Sequence, residues 1–210
     1  MNFNPWLDIG LRSYEEHMSS PEVFQLQVLN EIVKEQLSYN KKKVAILGVA
    51  GGNGLEHFDE NHYDTIILVD INKDYLDVCL SRYQSLRDII NPICVDLSLP
   101  LPPVIPDSDL LICNLIVEYI GVKKISAFIK KNIKNNQIVS LVIQKNLGSS
   151  FVSGSPHSDE LKKLELIYNP VDEELLKREF NILDLQLILE KDYPVKNNKL
   201  LRRMDFLSIF

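Results

Sequence analysis

The sequence has 210 residues, of which 45% are hydrophobic and 25% charged, and a net charge of −6 at pH 7. This length suits one α/β domain with an appendage better than two full domains. An acidic chain without a dense basic block argues against nucleic acid as the main partner, and no apolar run approaches the length of a membrane span.

Cysteine usage and the first residues of the chain both favour a reducing, cytoplasmic location. Cys79, Cys94 and Cys113 are an odd number, lie far apart and sit among apolar residues. This pattern predicts buried free thiols rather than disulfide bonds or a metal site. The first ten residues lack the charged start and apolar core of a signal peptide. We therefore expect a soluble cytoplasmic protein that holds no metal and has no membrane partner.

Residues 1–40 are predicted to form a helical appendage that covers the rest of the protein as a lid. A short helix is expected within residues 6–18. A longer helix is expected to begin with Ser20 as its N-cap and Pro21 in its first helical position. Its apolar residues recur at three- and four-residue spacing, which predicts one buried stripe: Leu26, Leu29, Val33 and Leu37.

From residue 41 to residue 210 the pattern changes to strands that alternate with helices. Helices are expected at residues 73–89, 121–133, 158–167 and 172–178, and short apolar strand segments are KVAILG, TIILVD, NPICVD, DLLICN and QIVSLVIQ. Such alternation predicts a doubly wound, mostly parallel sheet with helices on both faces. The last two strand-like runs, residues 182–195 and 199–210, are joined by KNN and predict an antiparallel C-terminal hairpin.

Glycines cluster directly after the first predicted strand. Gly48, Gly51, Gly52 and Gly54 fall within seven positions, and apolar residues at helical spacing follow them. Because ordered glycine is costly in conformational entropy, such a cluster indicates that another group approaches the backbone closely. A glycine loop that opens a helix at the carboxyl end of a strand is a typical ligand site, although a tight turn with close helix–strand packing explains the same residues.

Two acidic residues at the ends of the next strands extend this signal. Asp70 ends the segment TIILVD, where a carboxylate can accept hydrogen bonds from both hydroxyls of a ribose. Asp96 ends NPICVD and is placed to accept from an adenine amino group. Together with the glycine loop, these carboxylates predict a slot for an adenosine group.

In these motifs the chain resembles the class I S-adenosylmethionine-dependent methyltransferases. That family's first loop runs acidic-x-Gly-x-Gly-x-Gly, and the matching positions here are residues 48–54, with Gly48 in place of the acidic residue and Ala50 in place of the first glycine. The resemblance implies a seven-stranded sheet whose last strand is antiparallel and S-adenosyl-L-methionine as the cofactor. The positions it implies for cofactor binding are Gly48, Ala50, Gly52, Asn53, Gly54, Asp70, Ile71, Asp96, Leu97, Asn114 and Leu115.

Acceptor-site residues are expected from three places in the sequence. Glu118 and Tyr119 follow the fourth strand, and His157 lies in the loop SGSPHSD. Tyr14 and His17 are three residues apart in the appendage, so they project from one helix face, and an imidazole there is suited to a general base near neutral pH. Alternatively, Tyr14 and His17 pack the appendage onto the core, and His157 is an exposed loop residue.

The predicted function is methyl transfer to a small-molecule acceptor, with a homodimer left open. A non-catalytic adenosylmethionine-binding or interaction protein of the same fold is the alternative, because Gly48 removes the usual acidic residue. A nicotinamide oxidoreductase ranks lower because GVAGGNG lacks the Gly-x-Gly-x-x-Gly spacing. An aminopropyltransferase also ranks lower, because the fourth strand lacks that family's acidic pair.

Overall fold

The computed structural model describes residues 4–210, so the first three residues of the predicted appendage lie outside the described residues. In chain order its strands are β1 Lys43–Leu47, β2 Thr65–Asp70, β3 Ile90–Cys94, β4 Leu110–Asn114, β5 Ile138–Asn146, β6 Leu185–Val195 and β7 Lys199–Ser208. They form one seven-stranded sheet in the order β3-β2-β1-β4-β5-β7-β6. Strands β1 to β5 are parallel, whereas β7 runs antiparallel to both β5 and β6. The predicted mostly parallel α/β sheet is confirmed.

Helices cover both faces of the sheet. They are α1 Leu11–Ser19, α2 Gln25–Leu37, α3 Lys73–Arg82, α4 Val117–Ile120, α5 Val122–Asn132, α6 Ser158–Leu161 and α7 Glu173–Ile182. In β1, Val44 and Ile46 pack with α2 and α3, while Ala45 and Leu47 pack with α5 and α7. Because successive side chains of a strand point to opposite faces, a strand buried on both sides must be apolar throughout. No helix within residues 4–210 combines the length and hydropathy that crossing a membrane requires.

The C-terminal hairpin joins β6 to β7, and β7 inserts between β5 and β6. Asn197 and Asn198 in its connection have φ angles of 59° and 51°. Asparagine tolerates this left-handed conformation, which matches the twist of a tight hairpin. The prediction of an antiparallel hairpin at KNN is therefore confirmed.

The start of the longer N-terminal helix was predicted too early. Helix α2 begins at Gln25, and residues 20–24 form a turn in which the N–H groups of Val23 and Phe24 donate to the carbonyl of Ser20. This turn buries Val23, which is 2% exposed, against the apolar side of α2. Burial of that side chain outweighs the local preference of Pro21 for a first helical turn. The predicted apolar stripe of this helix is largely buried. Leu29, Val33 and Leu37 are all buried, whereas Leu26 is only partly buried.

Four further local predictions need correction. The glycine loop is followed by a three-residue 3₁₀ turn, Leu55–His57, and not by an α-helix, because α2 already packs against that face of the sheet. The helix predicted for residues 73–89 ends at Arg82 and gives way to a 3₁₀ turn, and the one predicted for 158–167 is α6 plus a 3₁₀ turn. Cys94 is exposed rather than buried, since β3 is an edge strand.

The appendage shares its core with the rest of the protein. Val33 and Leu37 of α2 belong to the same apolar cluster as the β1 and β2 side chains. Ile32 packs with Val142 of β5 and Leu201 of β7. The division of the chain at residue 40 stays a prediction, but α2 is part of the layer that holds the sheet.

Candidate active site

A cavity of about 160 Å³ lies at the carboxyl ends of the parallel strands. At about 10–15 Å³ for each water-sized position, it has room for on the order of ten waters, which suits a small molecule rather than a single ion. Its walls come from the loops after β1, β2, β3 and β4, from α1 and α2, and from the segment after β5. This is the edge where open α/β sheets bind their ligands.

The glycine loop supplies one end of the cavity with backbone. Gly48, Ala50 and Asn53 line it, together with Val49 and Gly51. Ala50 has a φ of 47°, and its N–H donates to Oδ2 of Asp70 at 3.0 Å. The bend therefore ties the loop after β1 to the end of β2.

Gly52 and Gly54 are both approached closely by side chains. Neither contributes to the cavity lining, and their φ angles are 85° and 94°. A Cβ on Gly52 would lie 2.8 Å from Tyr83, and a Cβ on Gly54 would lie 2.7 Å from Val33. Side chains of α2 and of the segment after α3 thus require glycine at these positions, and the binding of the cofactor by Gly52 and Gly54 stays a prediction.

Asp70 lines the cavity and is held in place by backbone groups. Its Oδ2 accepts from Ala50 and its Oδ1 accepts from the N–H of Asn72 at 2.9 Å. The side chain is 8% exposed, and burial raises its pKa despite these donors. A carboxylate has about four lone-pair sites, so two backbone donors leave acceptor capacity toward the cavity. Ile71 lines the cavity beside it.

Asp96 and Leu97 line the cavity from the segment after β3. The N–H of Val95 donates to the carbonyl of Asp70 at 2.9 Å, which extends the pairing beyond the end of β3. Oδ1 of Asp96 accepts from the N–H of Ser98 at 2.7 Å. The structure therefore brings Asp70 and Asp96 to the same cavity, as the sequence predicted.

Asn114 and Leu115 line the cavity at the end of β4. Asn114 pairs with Gln36 through two amide hydrogen bonds, 2.9 Å from Gln36 Nε2 to Asn114 Oδ1 and 3.1 Å from Asn114 Nδ2 to Gln36 Oε1. Gln36 is fully buried and also donates to Ser140 Oγ at 2.8 Å. The sequence analysis missed Gln36, although a glutamine beside the buried stripe of an amphipathic helix was a usable signal.

Three contacts hold the N-terminal segment over the cavity. Arg82 forms an ion pair with Glu15 of α1 and donates to the carbonyl of Gly51 at 3.1 Å. Asn72 donates to the carbonyl of Trp6 at 2.9 Å, and the Tyr75 hydroxyl donates to the carbonyl of Ile9 at 2.7 Å. The appendage thus covers the cavity.

Tyr14 and His17 of α1 both line the cavity. His17 Nδ1 is 2.8 Å from Ser155 Oγ, and the residue is 3% exposed. Burial, followed by the charges of Lys199 and His157, lowers the pKa of His17 to about 4. The imidazole is therefore neutral at pH 7 but a much weaker base than the sequence analysis expected. Burial raises the pKa of Tyr14, with a smaller effect from the Asp70 and Glu15 carboxylates.

Glu118 and Tyr119 also face the cavity. Glu118 is 1% exposed, and its Oε1 accepts from the N–H of Gln144 at 2.6 Å. Its Oε2 has no hydrogen-bond partner among residues 4–210, and burial raises the pKa of Glu118 to about 7. The Tyr119 ring packs edge-on against Trp6 with centroids 5.1 Å apart.

His157 is not part of the cavity lining. It is exposed, and its Nδ1 lies 3.2 Å from Oε2 of Glu16 on the outside of α1. Lys199 lines the cavity instead, where it donates to Ser153 Oγ at 2.7 Å, and burial lowers its pKa to about 8. The sequence analysis missed Lys199 because strand periodicity does not reveal a lysine folded inward. Among residues 4–210, no group of three or more His, Cys, Asp or Glu side chains is placed to hold a metal ion.

No protein-family model matches this sequence. A search of curated proteins also finds no match. Solved structures do match: magnesium protoporphyrin IX methyltransferase from Synechocystis PCC 6803, with bound SAH, has a TM-score of 0.66 at 10% identity, over 97% of this chain and 96% of that chain. Geranyl diphosphate C-methyltransferase from Streptomyces coelicolor A3(2), in complex with Mg²⁺, geranyl diphosphate and S-adenosyl-L-homocysteine, has a TM-score of 0.63 at 11% identity, over 92% and 87% of the two chains.

A third similar structure carries a different name. The cyclase SpnF has a TM-score of 0.62 at 11% identity, over 87% of this chain and 81% of that chain. Similarity at about this level of identity establishes the fold and leaves the reaction to be argued from the site. The chain has the fold of the class I S-adenosylmethionine-dependent methyltransferases.

Proposed function

We propose that this protein binds S-adenosyl-L-methionine and transfers its methyl group to a small-molecule acceptor. The observation that carries the proposal is one continuous cavity, which extends from the glycine loop and Asp70 past Asn114 to Glu118 and Tyr119. A protein that only bound the cofactor would not need open space beyond it. The covering N-terminal segment favours an acceptor of modest size.

The residues suit an adenosine group at one end of this cavity. In the proposal, Asp70 accepts from the two ribose hydroxyls with the lone pairs that Ala50 and Asn72 leave free. Asp96 accepts from the adenine amino group. Asn114, held in one orientation by Gln36, and Leu115 line the methionine side, next to the backbone of Gly48 and Ala50.

Methyl transfer from a sulfonium demands little of the protein beyond position. When bound, the cofactor supplies an activated methyl group and a good leaving group. The chain contributes proximity, orientation and exclusion of water, and the covering segment of α1 serves the last of these. A base is needed only if the acceptor binds in its protonated form.

A non-catalytic adenosylmethionine-binding protein is the second candidate, because Gly48 stands where the resemblance expects an acidic residue. Turnover distinguishes the two candidates. The enzyme is expected to form S-adenosylhomocysteine when it is incubated with S-adenosylmethionine and a protein-free cell extract. A binding protein is expected to form none above the rate without extract.

Cofactor binding is tested by isothermal titration with S-adenosylhomocysteine. The native chain is expected to bind at micromolar affinity, and Asp70→Ala to bind at least about tenfold more weakly, a loss of about 1.4 kcal/mol or more. Asp64→Ala is the matched control, because Asp64 is an exposed aspartate just before the other end of β2. A folded native chain that does not bind contradicts the proposal. Unchanged binding by Asp70→Ala refutes the role of that carboxylate.

A further inference from the structure

Glu118 is a buried carboxylate with one oxygen unused. Gln144 donates to Oε1 at 2.6 Å, while Oε2 has no partner within the described part of the chain. A buried polar atom without a hydrogen bond is costly and uncommon in folded proteins. Because the side chain lines the cavity, a bound molecule can supply the missing partner.

The protein offers no cation to this carboxylate. None of the ion pairs formed by residues 4–210 includes Glu118. Lys199, which also lines the cavity, donates instead to the carbonyl of Phe151 and to Ser153 Oγ. His17 is neutral at pH 7, because the pKa of its imidazole is lowered to about 4. A counter-charge for the ionised form of Glu118 must therefore come from the ligand.

Aromatic rings form the walls around this part of the cavity. Trp6 packs edge-on against Tyr14 and Tyr119, with centroid separations of 5.6 and 5.1 Å. Phe151 lies 5.9 Å from Tyr119. All four rings line the cavity. Ring faces attract cations, and a carboxylate among them adds a charge-assisted hydrogen bond. This combination suits an ammonium group better than a neutral hydroxyl or an anion.

We propose that the methyl acceptor is a small amine, which binds to Glu118 as an ammonium ion among these rings and gives its proton to the Glu118 carboxylate. The inference rests on the proposed function and names its substrate class. The proton moves from nitrogen to Oε2, which frees the nitrogen lone pair. That pair forms the new N–C bond to the methyl group while the C–S bond breaks and its electrons go to sulfur. The products are a methylated ammonium ion, a neutral thioether and protonated Glu118.

Binding of two matched probes tests the substrate class on the native chain. Benzylamine and benzyl alcohol share a ring and a methylene and differ in the ammonium group. In the presence of S-adenosylhomocysteine, we expect benzylamine to bind at least about tenfold more tightly, as one charge-assisted hydrogen bond to a buried carboxylate predicts. Benzylamine that binds no more tightly than benzyl alcohol, or not at all at millimolar concentration, overturns the inference.

The variant Glu118→Gln assigns the preference to this side chain. It keeps an acceptor for the Gln144 N–H and removes the charge, so benzylamine is expected to lose its advantage while benzyl alcohol binds within about threefold of the native value. Glu165→Gln, at an exposed glutamate, is the control and is expected to keep the preference. A preference that survives in Glu118→Gln overturns the assignment.

Failure of the two proposals is distinguishable. Titration with S-adenosylhomocysteine alone tests the proposed function, and Glu118→Gln is expected to bind it as the native chain does, because the adenosine end of the cavity does not involve Glu118. Normal cofactor binding without the amine preference refutes the substrate class alone. A folded native chain that does not bind S-adenosylhomocysteine refutes both proposals.

Discussion

The stability of the unliganded protein should depend on pH in a way that Glu118 controls. Burial raises the pKa of this carboxyl from its ordinary value of 4.5 to about 7. A difference of this size between the folded and unfolded states corresponds to about 3 kcal/mol. The carboxyl lies almost wholly out of solvent, at 1% exposure, so little of that difference is lost to solvent screening.

The sign follows from which state binds the proton. Below pH 4.5 the carboxyl is protonated in both states and contributes no difference. As the pH rises from 4.5 to 7, the unfolded chain loses this proton while the folded chain keeps it, so the native protein becomes less stable. Glu118→Gln has no such group. Its free energy of unfolding, minus that of the native protein, should therefore rise by about 3 kcal/mol between pH 4.5 and pH 8 and then level off.

Urea unfolding of both proteins at a series of pH values measures this difference. The other titratable groups are common to both proteins and cancel in the subtraction. Any constant effect of the amide shifts the difference equally at every pH and leaves the predicted rise unchanged. Glu165→Gln, at an exposed glutamate, is the control for the substitution itself. Parallel curves for Glu118→Gln and the native protein would refute the reasoning. Glu118→Gln should also bind amines less well. Glu118 would then destabilise the fold while it serves the site.

Three further changes test other parts of the structure. Gly54→Ala should lower the free energy of unfolding by about 2 kcal/mol or more, because the new Cβ meets α2 at 2.7 Å and φ is 94°. Gly51→Ala, whose Cβ meets only flexible side-chain ends, should lower it by less than about 1 kcal/mol, and equal losses for the two variants would contradict this account. His17→Gln should remove a loss of stability of up to about 3 kcal/mol that the native protein undergoes between pH 6.5 and 4, because the native imidazole, with its pKa lowered to about 4, resists the proton that the unfolded chain accepts. Urea unfolding across that range measures this loss, and an equal loss in both proteins would count against the prediction. Gln36→Leu should lower the free energy of unfolding by about 2 kcal/mol and weaken binding of S-adenosylhomocysteine, because the Asn114 amide loses its paired hydrogen bonds. Unchanged titration curves would refute the link between Gln36 and cofactor binding.

Features that depend on neighbours in the chain were readable from the sequence. The run from Val44 to Leu47 is apolar at every position, as a strand buried on both faces requires. Asn197 and Asn198 occur where a left-handed turn needs residues that tolerate it. Asp70 and Asp96 follow apolar segments directly, and parallel strands bring their carboxyl ends to one edge. The type of fold and the location of the cavity followed from these local patterns.

Features that depend on distant contacts were decided by the tertiary structure alone. Gly54 is a glycine because Val33 packs against it, and Gln36 orients Asn114 from 78 residues away. The free oxygen of Glu118 exists because the rest of the chain buries the carboxyl and offers a donor only to Oε1. Local sequence carries hydrophobic period and turn preference, since both are properties of adjacent residues. Burial, and the hydrogen bonds that burial leaves unmade, arise when segments far apart in sequence pack together.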